Sequence, residues 1–381
     1  MKIKDTKFNW SLNVIARLLV GALFIFSSFV KGVDPLGTSY KITEYLTAWQ
    51  FGNITFEWLV PMSTLFAMGL IVAEFTVGMM LIFGTFRQLS AWLLALMMLF
   101  FTCTTLYDAI TNEVTDCGCF GDAIKLTNWQ TFWKNIVLDV PTVWIVLTRN
   151  LHRKKRLERD TLITAFAIVI MVIFGLFNIS NEPCIDFRPW KVGNQMMDMD
   201  DNLQVKSYVT YRNIQTGETE EFLSEELVKK MEDPTWESQW EWESSRVEDP
   251  HEIKADGFSM LDLDMNDHAQ EFIGSKDYLI IATIHHLEKV DEKGIRSLQF
   301  IQHYAEEMGV QMVLLTSSLP EDVETFLYAN KLDNLEFYFA DATAIETMLR
   351  SNPGFMLLKD GKVLGKWHHR HTRNLMEYQF E

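Results

Sequence analysis

The chain has 381 residues, 48% of them hydrophobic and 22% charged, with a mean hydropathy of +0.01 and a formal net charge of -17. That length holds two or three domains and excludes a mini-protein or a short binding motif. The excess of 51 acidic over 34 basic residues would repel phosphate, so nucleic acid is not an expected partner.

The average conceals two unlike halves. Long apolar runs lie almost entirely before Asn181 and acidic residues crowd the segment after it, so the pattern is a membrane part joined to an acidic soluble part. The first run, 11–30, follows Lys2, Lys4 and Lys7, but no small-x-small cleavage site follows it and more runs come after. It reads as a retained helix rather than a signal peptide. Further runs of spanning length occupy 58–83, 89–110, 132–148 and 162–179, and five spans place the two chain ends on opposite sides of a lipid bilayer.

Orientation follows from the basic residues. The amino-terminal lysines, Arg87 and the cluster 149–159 fall in alternate loops, which the positive-inside rule assigns to the cytoplasm. The loops 31–57 and 108–130, and everything after Asn181, then face the exterior. In a bacterium this is the periplasm, where cysteine pairs persist.

The four cysteines follow this geography. Cys117 and Cys119 sit in the second exterior loop, Cys184 lies just beyond the fifth run, and Cys103 is inside the third, two to three turns from its exterior end. Three readings stay open: a static disulfide between Cys184 and one loop cysteine, redox chemistry, or metal binding. Redox chemistry has one argument of its own. A Cys-Gly-Cys disulfide closes so small a ring that it is strained and oxidising, and Gly118 supplies the backbone freedom.

Charges at bilayer depth are the second pointer, because they cost a few kcal/mol and persist when paired or useful. Arg17 and Glu74 count to similar depth from the cytoplasmic ends of the first and second runs, so a buried ion pair between them is expected. Asp139 lies mid-run in the fourth, one turn from Asn135 on the same face. The three serve either as a structural clamp or as a polar pocket for a quinone head group or a proton path.

Beyond Cys184, 208–222 reads as a hairpin turning at Thr216-Gly217. The tract 232–249, with Trp236, Trp240 and Trp242 among acids, reads as a loop or packed strand, or as a surface for a periplasmic protein partner. The last hundred residues alternate: strand 278–284, helix 294–308, strand 310–315, helix 321–330, strand 336–340, short helix 344–350, and a hairpin of 355–358 with 363–367. That order describes an α/β sheet with a terminal antiparallel pair. His285 and His286, with His368, His369 and His371, are candidate metal ligands. Adjacent histidines on a strand point to opposite faces, which favours surface or packed roles, and no metal site is assigned. No Walker loop, G-x-G-x-x-G or H-E-x-x-H motif is present.

Two resemblances sharpen these readings. The stretch Asp116-Cys-Gly-Cys-Phe-Gly-Asp122, with Trp129 and Asn135 after it, resembles the MauE and DoxX families of small four-helix membrane proteins. The opening Arg17-Leu-Leu-Val-Gly-Ala-Leu-Phe24, with Lys31 and Asp34-Pro35, is similar too. The resemblance implies redox maturation, since MauE-like proteins are linked to making the disulfide-rich methylamine dehydrogenase and DoxX-like proteins to quinone-coupled sulfur oxidation. The fifth helix and the large exterior domain depart from both families. The carboxyl-terminal pattern resembles the thioredoxin-like domain of the TlpA kind, with Asn352-Pro353-Gly354 where that kind carries its cis-proline. His285-His286-Leu287-Glu288 stands where Cys-x-x-Cys is expected, and no thiol follows Cys184. This domain is therefore expected to bind rather than to exchange disulfides.

The expected architecture is a membrane all-α helical bundle, four DoxX-like helices plus a fifth, followed by a soluble α/β thioredoxin-like domain. Its segments are a membrane domain at 1–150, a basic loop and fifth helix at 151–183, a linker and hairpin at 184–270 and the thioredoxin-like domain at 271–381. The expected function is thiol-disulfide or quinone-linked maturation of envelope proteins through Cys117, Cys119 and Cys184. The rival is a non-enzymatic membrane scaffold whose acidic domain docks a periplasmic partner.

Overall fold

Thr6 opens the first helix, its side chain accepting the Asn9 N–H, and α1 (Lys7–Val33) then runs 27 residues without a proline. Asp34 ends it and caps the next helix, accepting the Gly37 N–H at 3.0 Å, with Pro35 at the first position of α2 (Pro35–Ala48). The segment 31–57, expected as a loop, is therefore helical over much of its length. A short ribbon, β1 (Gln50–Phe51) with β2 (Ile54–Thr55), leads to a 3-10 turn and α3 (Ser63–Phe83), which stops at Gly84 with φ +66°. The helices α4 (Arg87–Thr111), α5 (Asn128–Thr148) and α6 (Leu157–Ile179) complete the bundle.

The structure, a computed structural model, describes residues 6–378 and 380 except 52–53, 115–117, 152–155, 201–203, 232–234, 250 and 256. Lys2, Lys4, Asp116, Cys117 and part of the basic cluster 149–159 lie outside the described residues. The chain divides into two units, 1–188 and 189–381.

In the first unit, Val20, Phe24, Leu81, Leu94, Met98, Leu138 and Ile145 form the core. Gly21 and Gly78 bring α1 and α3 close: a Cβ on Gly21 would stand 3.0 Å from the Gly78 carbonyl oxygen. Outward faces carry exposed Leu19, Phe26, Leu96, Leu99 and Ile173, an apolar surface suited to lipid rather than water. Four helical stretches, Lys7–Val33, Glu57–Phe83, Arg87–Thr111 and Leu157–Ile179, are long and apolar enough to cross a membrane. The expected fourth of five, α5, is not among them, interrupted by Lys134, Asn135, Asp139 and Pro141. Its hydrogen bonds nonetheless tie it along the length of the bundle. Asn128 donates to the Val114 carbonyl at 2.9 Å, Asn135 to Thr105 at 3.1 Å, and Asn13 near the start of α1 donates to Thr148 at 2.7 Å.

The second unit begins with a small sheet in the order β4-β3-β5: β3 (Lys206–Asn213), β4 (Thr219–Leu223) and, after α7 (Ser224–Lys230) and α8 (Trp236–Gln239), β5 (Trp240–Glu248). The hairpin turns at Gly217, φ +72°, as the sequence indicated. Trp236 packs with Phe222 and Leu227 and stacks on Trp240 at 5.2 Å, whereas Trp242 is exposed.

After α9 (Ala269–Ile273), a five-stranded mixed sheet is built from β6 (Leu279–Ile284), β7 (Gln311–Thr316), β8 (Glu336–Phe339), β9 (Gly354–Lys359) and β10 (Lys362–His368), ordered β10-β9-β6-β7-β8. The first three are parallel, while β9 and β10 run antiparallel. All six residues of β6 are buried, which accounts for its unbroken apolar run. One face is covered by α10 (Glu292–Met308), α11 (Pro320–Ala329) and Leu375 of α13 (Arg373–Met376); the other by Trp190, α9 and α12 (Ala342–Met348). The Asn352–Pro353 peptide bond is cis.

Candidate functional site

Ser27 and Lys31 are one turn apart on α1 and face Glu74 of α3. Lys31 Nζ lies 2.6 Å from Glu74 Oε1, and the two side chains are 7% and 2% exposed. The lysine also stands 5.6 Å from the centre of the Phe101 ring. The Ser27 hydroxyl is 3.0 Å from Glu74 Oε2 and 2.9 Å from the carbonyl oxygen of Cys119. With one proton to donate, it serves one of these acceptors or is shared between them. A buried charge pair is thus joined through a single hydroxyl to the cysteine loop.

This arrangement corrects the expected pairing of Arg17 with Glu74. Gly21 packs on Gly78 and Ser27 on Glu74, a register that leaves Arg17 level with the carboxyl end of α3. Counting depth from the span ends fails because α1 extends past that end. The Arg17 guanidinium instead donates to the Leu81 carbonyl from Nε at 2.9 Å and Nη2 at 2.6 Å, satisfying acceptors that a helix end leaves open. Asp139 accepts from Thr102 at 3.0 Å. Arg17, Glu74 and Asp139 therefore have three separate sets of partners.

The cysteine loop is pinned to α1. Phe120 meets Phe26 at 5.6 Å, and a Cβ on Gly121, φ +49°, would touch Val30. Lys134 stands 4.5 Å over the Phe120 ring. Cys119 is half-buried and lines a small surface cleft with Gly118, Phe120, Lys125 and Thr131. Cys103 and Cys184 are free thiols, and Cys117 lies outside the described residues.

Cys184 is exposed, but its backbone is held. Its N–H donates to Asn178 Oδ1 at 3.1 Å, and Asn178 Nδ2 donates to the Gly32 carbonyl at 3.1 Å. Arg188, 2% exposed, closes the following turn on Asp186 at 2.7 Å and Glu182 at 3.3 Å. Ser27 and Gly32, the two anchors, are separated by about 7–8 Å along α1. Both cysteine-bearing segments therefore meet the same end of that helix.

Sequence reasoning misses Ser27 and Asn178, and it names Lys31 only within a resemblance, because that lysine falls one residue outside the run 11–30 and reads as loop. Ser27 and Asn178 carried a usable signal, as polar residues inside apolar runs that need an internal partner.

In the second unit, Asn352 Oδ1 accepts the His285 N–H at 2.9 Å and its Nδ2 donates to the His286 carbonyl at 2.8 Å. His368 and His369 lie with ring centres 4.3 Å apart, and His369 Nδ1 is 3.0 Å from Ser351 Oγ. Burial, with His369 and Arg370 adding to it, pushes His368 down to about 3; His369 is also lowered, chiefly by burial. His285, His368 and His369 are packed, while His286 and His371 are exposed. Among the described residues no group of three His, Cys, Asp or Glu side chains is set to hold a metal ion.

Apolar helices with lipid-suited outer faces and polar partners turned inward define the first unit as that of a membrane protein. Residues 9–148 match the family model of the methylamine utilisation protein MauE. The match takes in α1 to α5 with the cysteine loop and leaves α6 and the unit 189–381 outside. No curated protein and no solved structure matches the chain.

Proposed function

We propose that this chain is a bacterial inner-membrane protein that exchanges thiols and disulfides at its periplasmic end, in the maturation of envelope proteins. The supporting observation is the Ser27 hydroxyl, which joins the buried Lys31–Glu74 pair to the backbone of Cys119. A loop held this way keeps its sulfur in place while bonds change. The MauE match adds an accessory role of the methylamine-utilisation kind.

In the exchange, a substrate thiolate attacks one sulfur of a Cys117–Cys119 disulfide, and the other loop sulfur leaves as a thiolate and takes a proton. The substrate's second thiolate then breaks the mixed disulfide, so the substrate gains a disulfide and the loop pair ends as two thiols. A membrane quinone restores the pair by accepting two electrons and two protons. Cys184, exposed and anchored to the same end of α1, relays the bond by attacking the loop disulfide first.

The second unit acts as a thioredoxin-like binding module. The parallel β6, β7 and β8 beside antiparallel β9 and β10 support that fold, and Asn352 holds 285–286 where the kind carries its thiols. With no cysteine after Cys184, it offers a surface and no thiol.

Alkylation trapping of mixed disulfides in intact cells tests this reading. Adducts through Cys117, Cys119 or Cys184 are expected, and their complete absence under conditions that trap other envelope thiols would contradict it. Reporter fusions after Arg159 and Gly193 should report cytoplasm and periplasm; the reverse would remove the compartment on which the chemistry depends.

A further inference from the structure

Asp108 lies in the last turn of α4 and is 0% exposed. Its Oδ2 accepts the Tyr45 hydroxyl of α2 at 2.6 Å, whereas its Oδ1 is buried with no hydrogen-bond partner among the described residues. Asn128, at the start of α5, adjoins it. The Asn128 Nδ2 donates to the carbonyls of Asp108 at 3.3 Å and Val114 at 2.9 Å, and to Asn112 Oδ1 at 3.3 Å. These three acceptors fix the amide's orientation, so the oxygen faces away from them, and that Asn128 Oδ1 is also buried without a partner among the described residues.

Two neighbouring residues thus each present an enclosed acceptor with no donor among the described residues, and a protonated Asp108 would supply the donor this pair lacks. Among the described residues the titratable groups around it are Tyr45 and Lys41 from α2 and Glu113 just beyond α4. Lys41 Nζ is 2.9 Å from Glu44, and Glu113 accepts the Tyr107 hydroxyl at 2.7 Å. Among the described residues Asp108 makes no ion pair, and a charge enclosed without a partner is costly.

The geometry points to Asp108 being held as a neutral carboxylic acid that donates to Asn128 Oδ1 and stores a proton for the cysteine loop. Asn128 binds the Val114 carbonyl three residues before Cys117, which places the store at the root of that loop. Its use there rests on the exchange reading: when the loop disulfide opens, the departing thiolate takes the Asp108 proton, and the carboxylate left behind is reprotonated from solvent.

Infrared spectroscopy of the full chain in bilayers tests the neutral state without any exchange assay. A carbonyl band of a protonated carboxylic acid is expected at neutral pH, lost in Asp108→Asn and displaced but retained in Tyr45→Phe, which removes the hydrogen bond to that group. A band indifferent to both substitutions belongs to another residue such as Asp139 and overturns the proposal. So does an ionised Asp108, which would need a water donating to both oxygens. If Asp108→Asn does not accumulate, isotope-labelled aspartate in the wild type with Tyr45→Phe decides the same question. For the role, Asp108→Asn should slow loop opening about 100-fold and make it depend on buffer acid. An unchanged rate would overturn the proton store, while a wild type without exchange would sink the exchange reading and leave the infrared result standing.

Discussion

Lys31 on α1 and Glu74 on α3 form an ion pair of 2.6 Å inside the bundle, the lysine 7% and the glutamate 2% exposed at the side chain. Their attraction offsets the cost of removing two charges from water only while both are present. Lys31→Met or Glu74→Gln alone should therefore destabilise the bundle by about 3–5 kcal/mol, and the apolar double Lys31→Met/Glu74→Met should recover most of that loss. Denaturant unfolding of the detergent-solubilised protein gives the comparison; equal, small effects of all three would show that the pair contributes nothing.

Asn178 should govern the reactivity of Cys184. Its amide bonds both the Gly32 carbonyl and the Cys184 N–H, at 3.1 Å each, and it is 1% exposed. Asn178→Leu leaves both groups without that partner, at a cost of about 1–3 kcal/mol. Maleimide labelling of Cys184 should then quicken, with labelling of Cys103 on α4 unchanged. Identical Cys184 kinetics would mean that the clamp does not hold the segment.

The second unit should lose stability in acid through a histidine. His368 stays neutral down to about 3 in the folded state, by burial first and then by His369 and Arg370, whereas an unfolded histidine takes its proton near 6.5. Its contribution is complete above about 6.5 and lost as pH falls toward about 3, because the unfolded state binds the extra proton in that window. His268 acts oppositely: bonds to Glu271 and then Asp262 raise it, so its contribution is present below about 6.5 and lost as pH rises through its folded value. Unfolding midpoints of the full chain against pH should fall less steeply on the acid side in His368→Gln and on the alkaline side in His268→Gln. Superimposable profiles would refute both assignments.

The regular elements could be read from sequence where one periodicity ruled a long stretch. The six buried residues of β6 and the amphipathic α10 emerged close to their observed limits. The α2 helix did not, although Asp34-Pro35 is a cap followed by a first-turn proline, because its mean composition resembles a loop. At the site, the cysteines announced themselves by spacing, whereas the pairing of Glu74 depended on how α1 slides along α3. Gly21 against Gly78 sets that register, and a close approach of two glycines cannot be counted from the ends of apolar runs.

The account stands or falls on whether the cysteines change state together. Differential alkylation followed by mass spectrometry of the wild type and Cys184→Ser, taken from growing cells, measures this directly. Exchange through Cys184 predicts that Cys117 and Cys119 appear as a mixture of disulfide and dithiol in the wild type and collapse to a single redox state in Cys184→Ser. An unvarying state of all cysteines in both proteins, with Cys184→Ser only less stable or leaving one loop thiol free, would contradict it and make the sulfurs structural.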